Sequence, residues 1–351
     1  MTSHSNSKKR KAIAGMAAML ALSAVLAGCG KSGSGGEAGA SPSDSVPAAT
    51  APASPSGSAS QTPNEDQDAA LIKAFRDKAK GDTGADALNK ELDAALAAAR
   101  QPETGDALLR EMFAFYERDL PNAEKKFEAE NVQKGLMKAK WPITADNAAE
   151  IKDETAKALV DKSLAGGYKL EQAEGFIFPV VDYGKLKRAD AKVTPEMKDF
   201  VALYAMESDN KTAADAGLVI EWTELASRTI AAENYIKTYP TSALREKAEQ
   251  RYMMYLNDLL IGLNNTPIFD FDTLKLDPKV KEVYTKTIQA NPDTVTAKMT
   301  QQLLDILAKT NGTVFKKGKD GAQIDIPEVK AFRDGLEKNA LDAMDQANPD
   351  K

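Results

Sequence analysis

From Glu65 onward, apolar residues return every three or four positions almost without a break, and that spacing restricts the folded part to helices packed on helices. Leu71, Ile72, Phe75 and Ala79 share one helical face, as do Leu88, Leu92, Leu96 and Ala99. Leu108, Leu109, Met112, Phe113 and Tyr116 form another stripe, which Pro121 is expected to end or offset. Ile151, Thr155, Ala158, Leu159 and Leu164 make a further one, stopped by Gly166-Gly167. Start signals recur downstream. Thr194-Pro195 and Asp277-Pro278 each place a capping side chain before a proline at the first helical position, where the missing N–H costs nothing. Asp293 is expected to cap the helix of Val295, Met299, Leu303, Leu304, Ile306 and Leu307, which Asn311-Gly312 closes. The expected fold is predominantly all-α: roughly ten helices in an irregular multi-helix domain of helix pairs.

Two stretches depart from this periodicity. "EGFIFPVVDY", residues 174–183, is aromatic and β-branched around Pro179, which reads as an edge strand or an extended crossing between helical blocks. "TVFKKGKDGAQIDI", residues 313–326, alternates on either side of Lys319-Asp320-Gly321 and reads as a β-hairpin. A lone hairpin is marginal, so Val314, Phe315, Ile324 and Ile326 are expected to lie against helices. Folded residues from 64 onward are enough for one large or two smaller cores, divided here into a helical region 64–170 and a second, with the hairpin, over 171–351.

The N-terminus is organised differently. Lys8, Lys9, Arg10 and Lys11 precede an uncharged apolar run, Ala12 to Val25, followed by Leu26-Ala27-Gly28-Cys29. A basic block, a short apolar run and small residues are the parts of a secretory signal, and the run is short of the ~20 residues a bilayer crossing needs. Leu26-Ala27-Gly28-Cys29 resembles the lipobox of bacterial prolipoproteins at all four positions. The resemblance implies cleavage between Gly28 and Cys29, attachment of diacylglycerol to the Cys29 thiol, and a membrane-anchored, extracytoplasmic protein. Its first partner is then membrane lipid, held through Cys29; an outer membrane is a further possibility where the host has two. Two or three acyl chains at ~0.8 kcal/mol per buried methylene anchor stably, where one is marginal. Of the 34 residues from Gly30 to Pro63, 29 are Gly, Ser, Ala, Pro or Thr. Such a segment buries too little to offset its ordering entropy and reads as a disordered tether, spanning roughly 30 Å as a flexible coil.

Charge and composition narrow the function classes. Removing Lys8, Lys9, Arg10 and Lys11, with no acidic residue, takes the formal charge from −6 to −10. The sign and the lack of a basic stripe speak against nucleic acid as a partner. The one histidine is His4 and the one cysteine is Cys29. A chain processed at Cys29 therefore has no Ser-His-Asp or Cys-His catalysis, no zinc site of the usual His/Cys kind and no disulfide. No catalytic residue, metal or cofactor is assigned, and the chain is not expected to be an enzyme.

Within the helical part, Leu218 to Leu263 is the most organised stretch. One helix carries Val219, Trp222, Leu225, Ile230 and Tyr235. After Tyr239-Pro240 a second carries Leu244, Ala248, Tyr252, Tyr255, Leu256, Leu259 and Leu260, with Thr241 or Ser242 expected to cap it. The Tyr239-Pro240-x-Ser242 corner with Ala248 resembles the helix-turn junction of tetratricopeptide-like repeats, although Arg245 stands where that family often has a small residue. A solenoid needs several copies. The nearest echo, "FYERDLPNAEKKF" at 115–127, shares only the apolar-proline corner, so the pair reads as part of an irregular helical domain. The block from Gly175 to Phe269 also resembles lipoproteins of Gram-positive bacteria, which implies no activity.

Trp222, Tyr252 and Tyr255 form the candidate binding surface, a concave groove for a peptide or helix. Asp270, Asp272 and Asp277 invite a calcium loop, but Lys275 and Lys281 stand where an EF-hand needs Gly and Glu, so a loop and an N-cap explain them. Glu174 and Asp182 flank aromatic residues as in a sugar cleft, and Trp141 reads as a core or corner residue. The expected role is a non-enzymatic binding or scaffold module for an envelope protein or other envelope component, with a solute- or peptide-binding lipoprotein of a transport system as the alternative.

Overall fold

The computed structural model describes residues 63–346, all of which fall in one compact unit, Ala59–Lys351. The lipobox, Cys29 and nearly all of the tether lie outside the described residues. Eleven α-helices and four two-stranded hairpins make up the described fold, as the helical periodicity predicts.

The first three helices are α1 (Pro63–Lys80), α2 (Ala85–Ala98) and α3 (Pro102–Phe127), with α1 and α2 both packed on α3. Pro121 does not end α3. It sits on the exposed face, where its ring meets solvent, and the helix runs on to Phe127. The short α4 (Glu130–Leu136) leads through a loop to α5 (Glu154–Ala165), whose N-cap Asp153 accepts from the Ala156 N–H at 2.9 Å. Gly166-Gly167 ends α5 as expected, and the chain continues from it as a strand. Gly167 has φ +85°, and a Cβ there would lie 2.0 Å from the Tyr116 hydroxyl, which itself donates to the Gly166 carbonyl at 3.0 Å.

That turn launches β1 (Tyr168–Ala173), which pairs antiparallel with β2 (Phe176–Val181) around Glu174 and Gly175. The aromatic stretch is thus one half of a hairpin, and its partner "YKLEQA" has no apolar alternation strong enough to announce itself. A 3₁₀ segment, Tyr183–Lys192, then packs on α6 (Pro195–Asp209), capped by Thr194. The hairpin β3 (Ala213–Ala214) with β4 (Gly217–Leu218) turns through Asp215 and Ala216, both at positive φ.

Next come α7 (Trp222–Thr238) and α8 (Arg245–Leu260), packed on each other as the Tyr239-Pro240 corner suggests. Ser242 does not cap α8 at its N-cap position, which Leu244 occupies. Its hydroxyl instead accepts from the Leu244 N–H at 3.0 Å and donates to Glu196 at 2.6 Å. A hairpin of β5 (Gly262–Leu263) and β6 (Thr266–Pro267) comes after α8, its tip held to the previous hairpin by Asn265 N–H donating to the Ala216 carbonyl at 2.9 Å. The chain ends in α9 (Pro278–Ala290), α10 (Val295–Lys309), the hairpin β7 (Phe315–Lys317) with β8 (Gln323–Asp325), and α11 (Pro327–Gln346). Asp277 caps α9 as expected. The cap of α10 is Thr294 rather than Asp293, with the Glu233 carboxylate of α7 closing the same helix end. Val314 and Ile326 are buried and Phe315 packs on the core, whereas Ile324 is half exposed on the outer face of its strand.

One apolar cluster extends from Phe75 to Met344, through Tyr116, Phe200, Tyr252, Tyr284 and Leu336. Regions 64–170 and 171–351 share this cluster. The expected boundary falls inside β1, and the large core draws on both sides of it. A smaller cluster of Phe127, Val132, Leu136, Ile143, Ile151, Val160, Leu170 and Ile177 lies under the β1–β2 hairpin. Tyr168 and Val181, at one end of the same ladder, belong to the large core, so the hairpin bridges the two.

Candidate functional site

The groove of Trp222, Tyr252 and Tyr255 does not exist. Tyr252 and Tyr255 are both fully buried, and Trp222 is half buried against the core. The reason is the periodicity that drew attention to them. Positions 252, 255, 256 and 259 form a single stripe of α8, and that stripe faces the core. Tyr252 lies 3.3 Å from the Thr296 hydroxyl, which accepts its O–H, while Tyr255 lies beneath the Arg251 guanidinium, 5.9 Å from its ring centre.

Two cavities open instead beside the β1–β2 hairpin. The larger encloses about 810 Å³ between β1 and the loop from Trp141 to Ala145. Trp141, expected in the core or at a corner, is 41% exposed on its wall. Asn147 sets the loop's shape: its side-chain oxygen accepts from the Thr144 N–H at 2.8 Å, and its side-chain nitrogen donates to the Pro142 carbonyl at 2.8 Å. Ile143 drops from the loop into the smaller core. The opposite wall is an unbroken run, residues 169–175. A cavity touching one face of a strand meets alternate residues. An unbroken run means that this cleft lies along the strand's edge.

The charges on the wall are tied to one another. Lys169 and Lys211 bond the Glu171 carboxylate at 2.9 and 3.1 Å, and Lys185 lies 3.7 Å from Asp182. Burial works against the Glu171 charge, but the two ammonium groups outweigh it and hold its pKa below the ordinary carboxylate value. Glu174 and Asp215, also on the wall, are exposed and make no ion pair among the described residues. Glu174 and Asp182 do line one cleft, but at opposite ends of the ladder, roughly 20 Å apart at ~3.3 Å per residue. A carboxylate pair working on one glycosidic bond needs about a quarter to a half of that separation, so the sugar-cleft geometry is absent.

A second cleft of about 440 Å³ lies on the outer face of the same hairpin, sharing Glu171, Ala173, Lys211 and Asp215 with the first. Its walls are largely apolar, Phe178, Val180 and Tyr204 among them, and the Arg251 guanidinium stacks 4.6 Å from the Tyr204 ring centre. Elsewhere, Asp270 accepts from Thr273 and Asp277 caps α9, so both serve their loop. Among the described residues no group of three or more His, Cys, Asp or Glu is placed to hold a metal ion. Also among them, no helix is long and apolar enough to cross a membrane.

Sequence reading missed the cleft because its walls are brought together by the hairpin and not by a motif. The available signal was the proline at position 179, which marks an edge strand and so implies a partner on the other side. No family model matches the chain, and neither does any curated protein or solved structure.

Proposed function

We propose that the chain is a lipid-anchored, extracytoplasmic binding module that holds a protein or peptide component of the envelope at the membrane surface without catalysing a reaction. One observation carries the binding half of this reading: the 810 Å³ cleft along β1, walled by an exposed tryptophan and by lysines and carboxylates neutralised in place. Such a wall suits a ligand held by shape and backbone contacts, and its volume is in the range of specific ligand sites. The anchor half rests on Leu26-Ala27-Gly28-Cys29. Photo-crosslinking in the intact cell tests the binding half. A photoreactive residue replacing Thr144 or Ala173 on the cleft wall is expected to trap a discrete partner, and one replacing Lys338 on exposed α11 surface is not. Equal labelling from all three positions would remove the cleft from consideration.

A further inference from the structure

The two edges of the β1–β2 hairpin are finished differently. The Asp182 N–H donates to the Gly167 carbonyl at 2.9 Å, and the register pairs Tyr168 with Val181. Hydrogen-bonded pairs alternate along an antiparallel ladder. Lys169, Glu171 and Ala173 therefore bond across to β2, while Leu170 and Gln172 turn their N–H and C=O groups outward. Ile177, directly opposite Gln172, obeys the same alternation and has its outward groups occupied. The Gln133 side chain accepts from the Ile177 N–H at 3.0 Å and donates to the Ile177 carbonyl at 2.7 Å. Next along the β2 edge is Pro179, which has no N–H to offer. The β2 edge is thus closed by a side-chain amide that imitates a strand and by a proline. On β1, the backbone groups of Leu170 and Gln172 have no partner among the described residues, and both residues line the 810 Å³ cleft.

We propose that the open edge of β1 receives an extended peptide segment of a partner protein as a third strand, carrying a basic side chain for Glu174 and Asp215. This rests on the reading of the cleft as a binding site and specifies the form of what enters it. An outward-facing row of alternating donors and acceptors is matched residue for residue by another extended backbone and poorly by a compact solute. The cleft runs the length of β1, so the segment lies along the strand. The Trp141 ring, exposed on the facing wall, offers apolar surface to its side chains. The lysines of the wall are committed to Glu171 and Asp182, which leaves the two unpaired carboxylates to choose the partner's charge.

The probe is a fluorescein-labelled hexapeptide amide, Thr-Val-Thr-Val-Thr-Lys, titrated onto the full chain and monitored by anisotropy. Saturable binding is expected, weakened at least tenfold by Gln172→Pro and by exchanging the terminal lysine for glutamate, and little changed by Gln172→Ala. Proline at 172 removes an N–H that β2 does not use, so the thermal midpoint should hold. N-methylation of the peptide supplies a test independent of any variant: methylating one alternate set of amides should abolish binding, and methylating the other should not. Binding that ignores Gln172→Pro, or that both methylated sets retain, would overturn strand addition while leaving the cleft a binding site. No binding of the peptide at millimolar concentration would overturn the proposal, and crosslinks from Thr144 and Ala173 would show whether the broader reading survives. A full-chain dimer that Gln172→Pro splits would assign the edge to a second copy of this chain and contradict the peptide.

Discussion

Two carboxylates, one fully and one partly buried, show how one kind of group serves opposite ends in this core. Glu233 on α7 has no exposed surface, and its oxygens accept from the Val295 and Thr296 N–H groups at 2.6 and 2.9 Å, from the Thr296 hydroxyl at 2.7 Å, and from Lys237 at 2.7 Å. A charge at a helix N-terminus with four donors is satisfied, and it fastens α10 to α7. Glu233→Ala strands those donors and is expected to cost about 3 to 5 kcal/mol in denaturant unfolding, against roughly half as much for Glu233→Gln. Asp258 on α8 is the contrary case. Burial, and then the nearby Glu207 charge, push its carboxyl up to about 6. A folded-state pKa above the unfolded one means the native protein binds the extra proton, so this group's penalty is absent below pH 4 and grows as pH rises through 6. Asp258→Asn should therefore stabilise the protein at pH 7.5 by about 1 to 2 kcal/mol, allowing for solvent screening, and leave it unchanged at pH 4. Thermal unfolding at the two pH values checks this.

Among the elements, the β1–β2 hairpin gains least from its own sequence and most from its neighbours. A two-stranded sheet is marginal in water, and this one stands because Leu170 and Ile177 enter the smaller core and Gln133 of α4 closes the β2 edge. Gln133→Ala leaves the Ile177 amide and carbonyl buried without partners, and should cost about 2 kcal/mol and release the Ile177 amide to hydrogen exchange while β1 stays paired. The helices were legible because most carry their own apolar stripe, and Thr194, Asp277 and Gly166-Gly167 mark three boundaries in sequence alone. By contrast, α2, α3, α4, α7 and α8 have no side-chain cap, and α5 buries Ala156, Val160 and Ser163 where the expected stripe had Thr155 and Ala158. The hairpin was half legible. Pro179 and its β-branched neighbours announce β2, but β1 reads "YKLEQA", whose strand state is imposed by the Gly167 turn and the partner it folds back on. Thr294 displaced Asp293 as a cap, and Ile324 stayed exposed, because one position in register decides each and no local signal sets it.

For the molecule as a whole, the sequence separates location from recognition. Leu26-Ala27-Gly28-Cys29 and the tract behind it are the features proposed to set the body at a membrane surface, and among the described residues no helix is long and apolar enough to cross one. Cys29→Ala is expected to move the protein from the membrane fraction to the medium with an unchanged unfolding midpoint, which fractionation and thermal unfolding together would check. The candidate site was not legible in the same way. Tyr252 and Tyr255 stood out as aromatics on a helix, yet a helical aromatic stripe in a chain this long goes to the core. Trp141, in a loop with no stripe, is the ring that reaches the cleft. The proposed recognition element is a backbone edge, whose trace in the sequence is limited to Pro179 on the strand across from it.

That edge is open to direct measurement in the free protein. Gln172 and Ile177 face each other across the ladder with their amides pointing opposite ways, one into the cleft and the other onto Gln133. Residue-resolved amide hydrogen exchange is predicted to find the Gln172 amide exchanging at least tenfold faster than that of Ile177, with Lys169 and Glu171 protected like Ile177. Equal protection of Gln172 and Ile177 would mean that β1 already has a partner, and the binding edge would not exist.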